Sequence, residues 1–314
     1  SGNVIDLCPV GALTAKPSRY TARPWELTQQ PTIAGHDSVG SHLYAHIRRN
    51  RVMRVVPREQ EAINETWLAD RDRFGYEGLY SEDRLTEPMI KVAGRWQVCS
   101  WETALTTVQT ALQAVKHQHG AAQVGALVSP SATLEELFLV QQLLRDWGCP
   151  NIDHRLLQAD CSTQEQAPAY YWLGQTLAEL ETVPAALLIG SNLSQELPIV
   201  AHRLRKAARK GAVIACVNPA VYALSMPVAV QLTGDLLQPL ASITKAALAQ
   251  SNAEIPTDLA ELLEPLPVSA EHQQIATALR TQNATLLLGQ LAVLHPALSL
   301  LQRLAQVLAA QTSA

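Results

Sequence analysis

Cys8-Pro9-Val10-Gly11-Ala12-Leu13 carries the most specific chemistry in this sequence. A cysteine followed by proline, with glycine and alanine close behind, is the usual setting of the last thiolate in ferredoxin-type iron–sulfur binding. The proline there turns the chain away from the cluster. The other ligands of a [4Fe–4S] cluster would have to lie upstream of Ser1, so Cys8 alone holds no cluster. Ser-Gly-Asn followed at once by an apolar run, with no initiating Met, reads as a cut through a larger protein.

The remaining signals are weaker. A strand, then Gly190-Ser191-Asn192, then a helix is the geometry that cradles a phosphate at a helix N-terminus. One glycine falls short of a glycine-rich fingerprint, and an ordinary strand-to-helix loop is the simpler reading. His36, Asp37 and His42 could suggest a metal site, but their spacing fits no zinc or iron pattern, and loop histidines account for them. No Gly-x-Ser-x-Gly elbow, His-Glu-x-x-His helix or P-loop occurs. The five cysteines are odd in number and include no close metal-binding pair, which favours a reduced compartment over a disulfide framework. Cys149 and Cys216 read as small core hydrophobes. Spacing alone gives no active site.

Composition bounds the elements that must position these residues. The chain has 314 residues, enough for two folded units, and 47% are hydrophobic against 17% charged, which excludes disorder. A net charge of −4 supplies no basic field for a nucleic-acid partner. Two uncharged runs are long enough to span a bilayer. Gly211–Gly234 is broken by Pro219 and Pro227, and Thr281–Gln302 by Pro296, so both read as strands and helices of a soluble chain. No secretory signal opens the sequence.

Residues 1–30 are punctuated by proline and irregular. Residues 31–95 are Arg-rich with strand-like alternation. Ser41–Arg48 and Arg51–Val56 flank Arg49-Asn50, which suits a tight hairpin because Asn tolerates the left-handed turn. The charge set Asp70, Arg71, Asp72 and Arg73 reads as a solvated turn of helix. From Trp96 onward, helices alternate with short apolar strands. Trp101, Ala104, Leu105, Val108, Leu112 and Val115 share one helical face, and Thr133 with Glu136 forms a capping box. Val124–Val128, Ala185–Ile189, Ala212–Val217 and Leu286–Leu288 are strand candidates. The fold class is therefore α/β, a small β-rich domain followed by a doubly wound, mostly parallel sheet.

Several segments together resemble the large iron–sulfur subunit of bacterial NADH-quinone oxidoreductase, the counterpart of the 75 kDa subunit of respiratory complex I. They are SGNVIDLCPVGAL from Ser1, KPSRYTARPWEL from Lys16, GHDSVGSHLYAHIRRNRVMRVVPR from Gly35 and INETWLADRDRFGYEGL from Ile63. The likeness continues through RLTEPMI from Arg84, SWETAL from Ser100 and Gly190–Pro219, and covers most of residues 1–235. It implies that residues 1–30 end an iron–sulfur ferredoxin-like region, with Cys8 the fourth ligand of a [4Fe–4S] cluster. Residues 31–95 would be a β-rich domain of the 4Fe-4S Mo/W bis-MGD type, and 96–314 an α/β domain like those of molybdopterin oxidoreductases. It also implies an electron relay from flavin toward quinone. The expected partners are the other peripheral-arm subunits, including the flavin-binding NADH dehydrogenase subunit. The expected place is peripheral, on the cytoplasmic side of the inner membrane, with no direct membrane insertion.

Two departures from the family's pattern matter. Some members bind a further cluster through Cys-x-x-Cys-x-x-x-Cys and a later Cys. The equivalent positions here read Ala34, Asp37, Ser41 and Ala69, so that cluster is expected to be absent. Molybdenum-binding relatives place a metal ligand shortly after an Asn-x-Asp segment like Asn151-Ile152-Asp153, where this chain has Ala159, with Asp160 and Cys161 just beyond. Asn218-Pro219-Ala220 stands where the related enzymes tend to have Asp-Pro-Arg. No molybdenum cofactor is expected, and the isolated chain is expected to bind none. The competing reading is a catalytic molybdopterin oxidoreductase of formate dehydrogenase type, with Cys161 on the metal and Gly190–Asn192 on the pterin nucleotide.

Overall fold

A computed structural model describes residues 1–157, 160–163, 165 and 172–312. The chain divides into two compact units, one formed by Ser1–Phe74 with Gln158–Ala314 and the other by Gly75–Leu157.

The first unit opens with the short helix α1 (Asn3–Leu7) and an antiparallel sheet of β1 (Thr28–Ile33), β2 (His42–Arg48) and β3 (Arg51–Pro57) in the order β1-β2-β3. The expected hairpin forms, with Arg49 and Asn50 both at positive φ, 49° and 61°. Asn64, 1% exposed, holds the sheet to the segment that follows. Its side chain accepts from the His42 N–H and donates to the carbonyls of His42, Arg58 and Trp67. Helix α2 (Asp70–Phe74) corrects the solvated reading of this charged turn, because Asp72 and Arg73 are both buried. Their partners, His36 and Asp6, are distant in sequence, which no local pattern could reveal.

The second unit contains the hairpin β4 (Met89–Val92) and β5 (Arg95–Val98), helix α3 (Trp101–His119), strand β6 (Ala126–Leu127), helix α4 (Leu134–Asp146) and strand β7 (Ile152–Asp153). Strands β6 and β7 pair in parallel. The Thr133–Glu136 capping box is present at the start of α4. Val124, Leu144 and Cys149 form a small core against which Leu112 and Val115 of α3 pack. Trp101, Leu105 and Val108, expected on that same buried face, are exposed.

The rest of the first unit is the doubly wound part. It comprises β8 (Ala185–Ile189), α5 (Leu193–Glu196), α6 (Pro198–Arg209), β9 (Val213–Asn218), β10 (Val230–Thr233), α7 (Leu237–Ser251), α8 (Ala260–Leu263), α9 (Ala270–Leu279), β11 (Thr285–Leu288), α10 (Gln290–Val293) and α11 (Leu298–Thr312). The strands are parallel in the order β10-β9-β8-β11. Side chains alternate across a strand, and here the alternation builds two cores. Ala185, Leu187 and Ile189 of β8 join Ala215 and Val217 of β9 beneath α7, α9 and α11. Ala186 and Leu188 join Ile214 and Cys216 on the other face, against Val200, Ala201 and Leu204 of α6. Fully buried strands of this kind read as continuous apolar runs, which is why β8 is legible residue for residue.

Among the described residues, no helix is long and apolar enough to cross a membrane.

Candidate functional site

Cys8 follows α1 and begins a turn in which the Gly11 N–H donates to the Cys8 carbonyl at 3.3 Å, with Gly11 at φ +65°. The backbone N–H of Leu13, aided by those of Ala12, Val10 and Gly11, holds the Cys8 thiol below its ordinary pKa against a partial burial that pushes it up. A lowered thiol pKa favours thiolate, the form that ligates iron. The loop is fixed from beneath by α1. Asn3 exchanges two hydrogen bonds with the Leu68 backbone, at 2.9 and 3.0 Å, and Arg73 pairs with Asp6. Cys8 therefore fits the role of a single cluster ligand.

The four positions of the expected missing cluster are buried. Ala34, Ser41 and Ala69 are at most 8% exposed, and the Asp37 carboxylate is almost wholly covered. The Ala34 N–H donates to the Ser41 carbonyl at 2.9 Å. Asp37 pairs with Arg71, whose guanidinium also donates to the carbonyls of Gln195 and Glu196. Beside it the fully covered Asp72 carboxylate meets His36 Nδ1 at 2.8 Å. An ion pair and a His–Asp hydrogen bond occupy this ground instead of thiolates, and among the described residues no group of three His, Cys, Asp or Glu side chains could hold a metal. His36 and Asp37 thus form separate pairs, to Asp72 and Arg71, while the His42 backbone bonds Asn64.

The Gly190-Ser191-Asn192 loop lies at the C-terminal end of β8, where open α/β sheets bind nucleotides. Gly190 is at φ +60°, and a Cβ there would sit 2.5 Å from the Ala292 nitrogen, so the loop runs hard against the turn after β11. Its N–H groups already have acceptors in the chain. Ser191 N–H donates to Asn218 Oδ1 at 2.7 Å and Asn192 N–H to Glu196 Oε1 at 2.9 Å. These residues do not fit a pterin nucleotide's phosphates as they stand. Of the expected metal-ligand region, Ala159 lies outside the described residues. Asp160 is engaged by the Ser162 hydroxyl, with Ser299 also bonded to it, and Cys161 is exposed.

A further polar cluster went unseen in the sequence. Arg203, 2% exposed, pairs with Glu181 and with Glu65 at 2.9 Å and donates to the carbonyls of Glu61 and Ile63. Lys206 joins the same carboxylates at 2.6 and 2.9 Å. This knot fastens the antiparallel region to α6. Arg203 and Lys206 sit three residues apart on one helical face, but nothing in the sequence links them to Glu65 or Glu181.

The architecture is that of a doubly wound α/β protein with a small antiparallel sheet. The chain belongs to the molybdopterin oxidoreductase family, which matches residues 84–297. Residues 27–77 match the NADH-ubiquinone oxidoreductase NDSU1/NuoG-like, 4Fe-4S domain, although they contain no cysteine in this sequence. The NADH-quinone oxidoreductase G-subunit of Rickettsia felis is 39% identical over 211 residues, 67% of this chain and 30% of that relative. Its counterpart in Rickettsia prowazekii is 38% identical over 212 residues, 68% of this chain and 30% of its own length. The resemblance read from the motifs is thus borne out, with the chain spanning about a third of the length of these relatives. The fold is similar to that of acetylene hydratase from Pelobacter acetylenicus, with a TM-score of 0.69 over 91% of this chain and 44% of that one, at 13% identity.

Proposed function

We propose that this chain is the part of the large iron–sulfur subunit of complex I in which Cys8 completes a [4Fe–4S] relay cluster. Residues 31–314 then serve as scaffold, 31–95 as the cysteine-less cluster domain and 96–314 as the molybdopterin-oxidoreductase-like domain. In the assembled enzyme NADH passes a hydride to flavin in a neighbouring subunit, and electrons then move singly through iron–sulfur clusters toward quinone. The chain contributes one thiolate to that relay and no active site of its own. Its partners are the other peripheral-arm subunits, and its place is peripheral, on the cytoplasmic face of the membrane.

The observation that carries the reading is the turn from Cys8 to Gly11, closed by the Gly11 N–H on the Cys8 carbonyl with Gly11 at φ +65°, in the Cys-Pro setting of a ligating thiolate. The ion pair at Asp37, the His36 hydrogen bond at Asp72 and the occupied loop at Gly190 support scaffold over a formate dehydrogenase-type catalyst. The test is metal analysis and electron paramagnetic resonance on the intact subunit from its native host, with and without Cys8→Ser. Iron without molybdenum or tungsten, and a change confined to one cluster signal in the variant, is expected. Near-stoichiometric molybdenum or tungsten, or unchanged cluster signals, would overturn it.

A further inference from the structure

Residues 1–58 carry seven Arg and one Lys against Asp6, Glu26 and Asp37, a net charge of +5 in a chain whose total is −4. The excess gathers where the loop after Cys8 lies along the β2–β3 hairpin. Arg48 Nη1 donates to the Thr21 carbonyl at 3.2 Å and its Nη2 to Glu26 Oε1 at 2.7 Å, which ties the loop to the hairpin. The Arg23 N–H donates to Glu26 Oε2 at 2.8 Å. That bond first, and then the charges of Arg48 and Arg49, lower the Glu26 carboxyl against a slight desolvation. Glu26 neutralises only part of this charge. Arg19, Arg23 and Arg49 are exposed, and among the described residues their side chains form no ion pair.

Two large aromatic side chains stand in the same field. Tyr20 is 96% exposed and Trp25 81%. Tyr20 also holds a left-handed backbone at φ +64°, where a bulky side chain is strained. Its turn is fixed by Thr21, whose N–H and hydroxyl both donate to the Ser18 carbonyl. The Arg19 guanidinium lies 5.6 Å from the Tyr20 ring centroid. Strain that brings the fold no burial is kept where the presented side chain acts outside the fold.

The residue types identify the partner. Trp, Tyr and Arg are those on which protein–protein binding energy concentrates. The planar guanidinium fork matches a carboxylate through two parallel hydrogen bonds. A long polyanion such as nucleic acid would run onto the remainder of the chain, which is net acidic. Anionic lipid is met by an amphipathic helix with a basic face, whereas this loop holds only the three-residue turn Pro24–Glu26.

We propose that Arg19, Tyr20, Arg23, Trp25 and Arg49 form the docking face for an acidic surface of a neighbouring protein subunit. The inference rests on the reading of this chain as part of a complex I subunit, and adds to it the face used and the partner's chemistry. The neighbour's carboxylates pair with three guanidinium groups that the fold leaves without counter-charges, and the two rings pack against its surface.

Photo-cross-linking in the NADH-quinone oxidoreductase purified from the native host tests this, with p-benzoylphenylalanine placed in the full-length subunit at the position of Tyr20 or of Trp25. Adducts with another subunit, within a segment where Asp and Glu outnumber Lys and Arg, are expected from both positions. Arg19→Glu combined with Arg49→Glu is expected to lower their yield at least about 5-fold, while shifting thermal unfolding by less than about 2 °C. Adducts confined to the subunit itself, to a second copy, to lipid or to nucleic acid would overturn the proposal. So would no adduct, or a yield that the charge reversal leaves unchanged. If the double variant does not fold, the location of the adducts in its absence decides alone. Absence of the subunit from the purified oxidoreductase would overturn the complex I reading and this proposal with it, whereas the other outcomes leave that reading standing.

Discussion

Asp37 and Arg71 are joined by an ion pair across 34 positions of sequence, and the same guanidinium grips the backbone carbonyls of Gln195 and Glu196. One arginine therefore connects the ground where a cluster's cysteines would stand to the turn that carries the Glu196 carboxylate. The Asp37 carboxylate brings a charge that the fold answers with a counter-charge and reuses as a tie.

Removing Arg71 leaves the covered Asp37 carboxylate unpaired. Breaking one side of a buried pair is far costlier than replacing both. Arg71→Ala is expected to lose about 2–4 kcal/mol in urea unfolding at neutral pH. The double variant with Asp37→Asn should lose less than the two single losses added together. Strict additivity, or a loss under about 0.5 kcal/mol for Arg71→Ala, would show that the pair is surface decoration.

The Glu181 knot makes the fold sensitive to acid. Burial pushes this carboxyl up, but hydrogen bonds from Arg203 and Lys206 outweigh it and hold it at about 2. A depressed acid stabilises the fold above its unfolded pKa and loses that effect as pH falls through the folded value. Glu181→Gln is therefore expected to cost about 2 kcal/mol at pH 7, with the difference from wild type shrinking below pH about 4.5 and vanishing near pH 2. A difference that stays constant over that window would count against it.

Asp72 acts in the opposite sense. Burial pushes its carboxyl above the ordinary range, with the His36 hydrogen bond opposing. The folded chain keeps this proton to higher pH than the unfolded chain does. Its contribution is thus greatest below the unfolded pKa and is lost as pH rises through the folded one. Asp72→Asn stays neutral and can still bond His36, so relative to the wild type it should gain stability from pH about 4 to 7. Urea midpoints at several pH values would reveal the trend, and a relative loss over that range would refute it.

What could be read from sequence depended on how local its cause was. Ala185–Ile189 is legible because a strand buried on both faces must be apolar throughout. The hairpin at Arg49-Asn50 is legible because its turn needs left-handed residues. Strand β1, Thr-Gln-Gln-Pro-Thr-Ile, is exposed at every position and owes its form to pairing with β2, so no hydrophobic pattern announces it. Asp72, Arg73 and Arg203 look like surface charge until their distant partners are placed. Glu196 is the extreme case, since nothing in the spacing of residues 196 and 290 predicts that one carboxylate serves the loops after both β8 and β11.

The glycines in the loops after β8 and β11 are there for space. Gly190→Ala combines a left-handed φ of +60° with a Cβ 2.5 Å from the Ala292 nitrogen. Gly289→Ala has no strained φ but would meet the Gly190 oxygen and the Ser191 Cα at 2.6 Å. Each is expected to cost about 2–4 kcal/mol, because the obstacle is largely backbone. Gly211→Ala, with φ +103° and nothing within 4 Å, should cost only the backbone strain, about 1–3 kcal/mol. A Gly289 variant as stable as wild type would show that the two loops can separate.

The Cys8 and Cys216 thiols should differ most in reactivity. The Leu13 N–H, assisted by those of its neighbours, lowers Cys8, whereas burial alone pushes Cys216 up to about 11. Thiolate is the nucleophile, so both its fraction and its accessibility favour Cys8. Iodoacetamide at pH 7, followed by peptide mass spectrometry, should modify Cys8 at least about 100-fold faster than Cys216. Cys216 should become reactive only when urea opens the parallel sheet. Gly11→Ala puts a β-carbon on a residue at φ +65°, so it should disturb the turn that follows Cys8 and slow Cys8 alkylation while leaving Cys216 protected. If Cys8 alkylates no faster in the wild type than in the urea-unfolded chain, the turn does not hold a thiolate, and the relay reading loses that support.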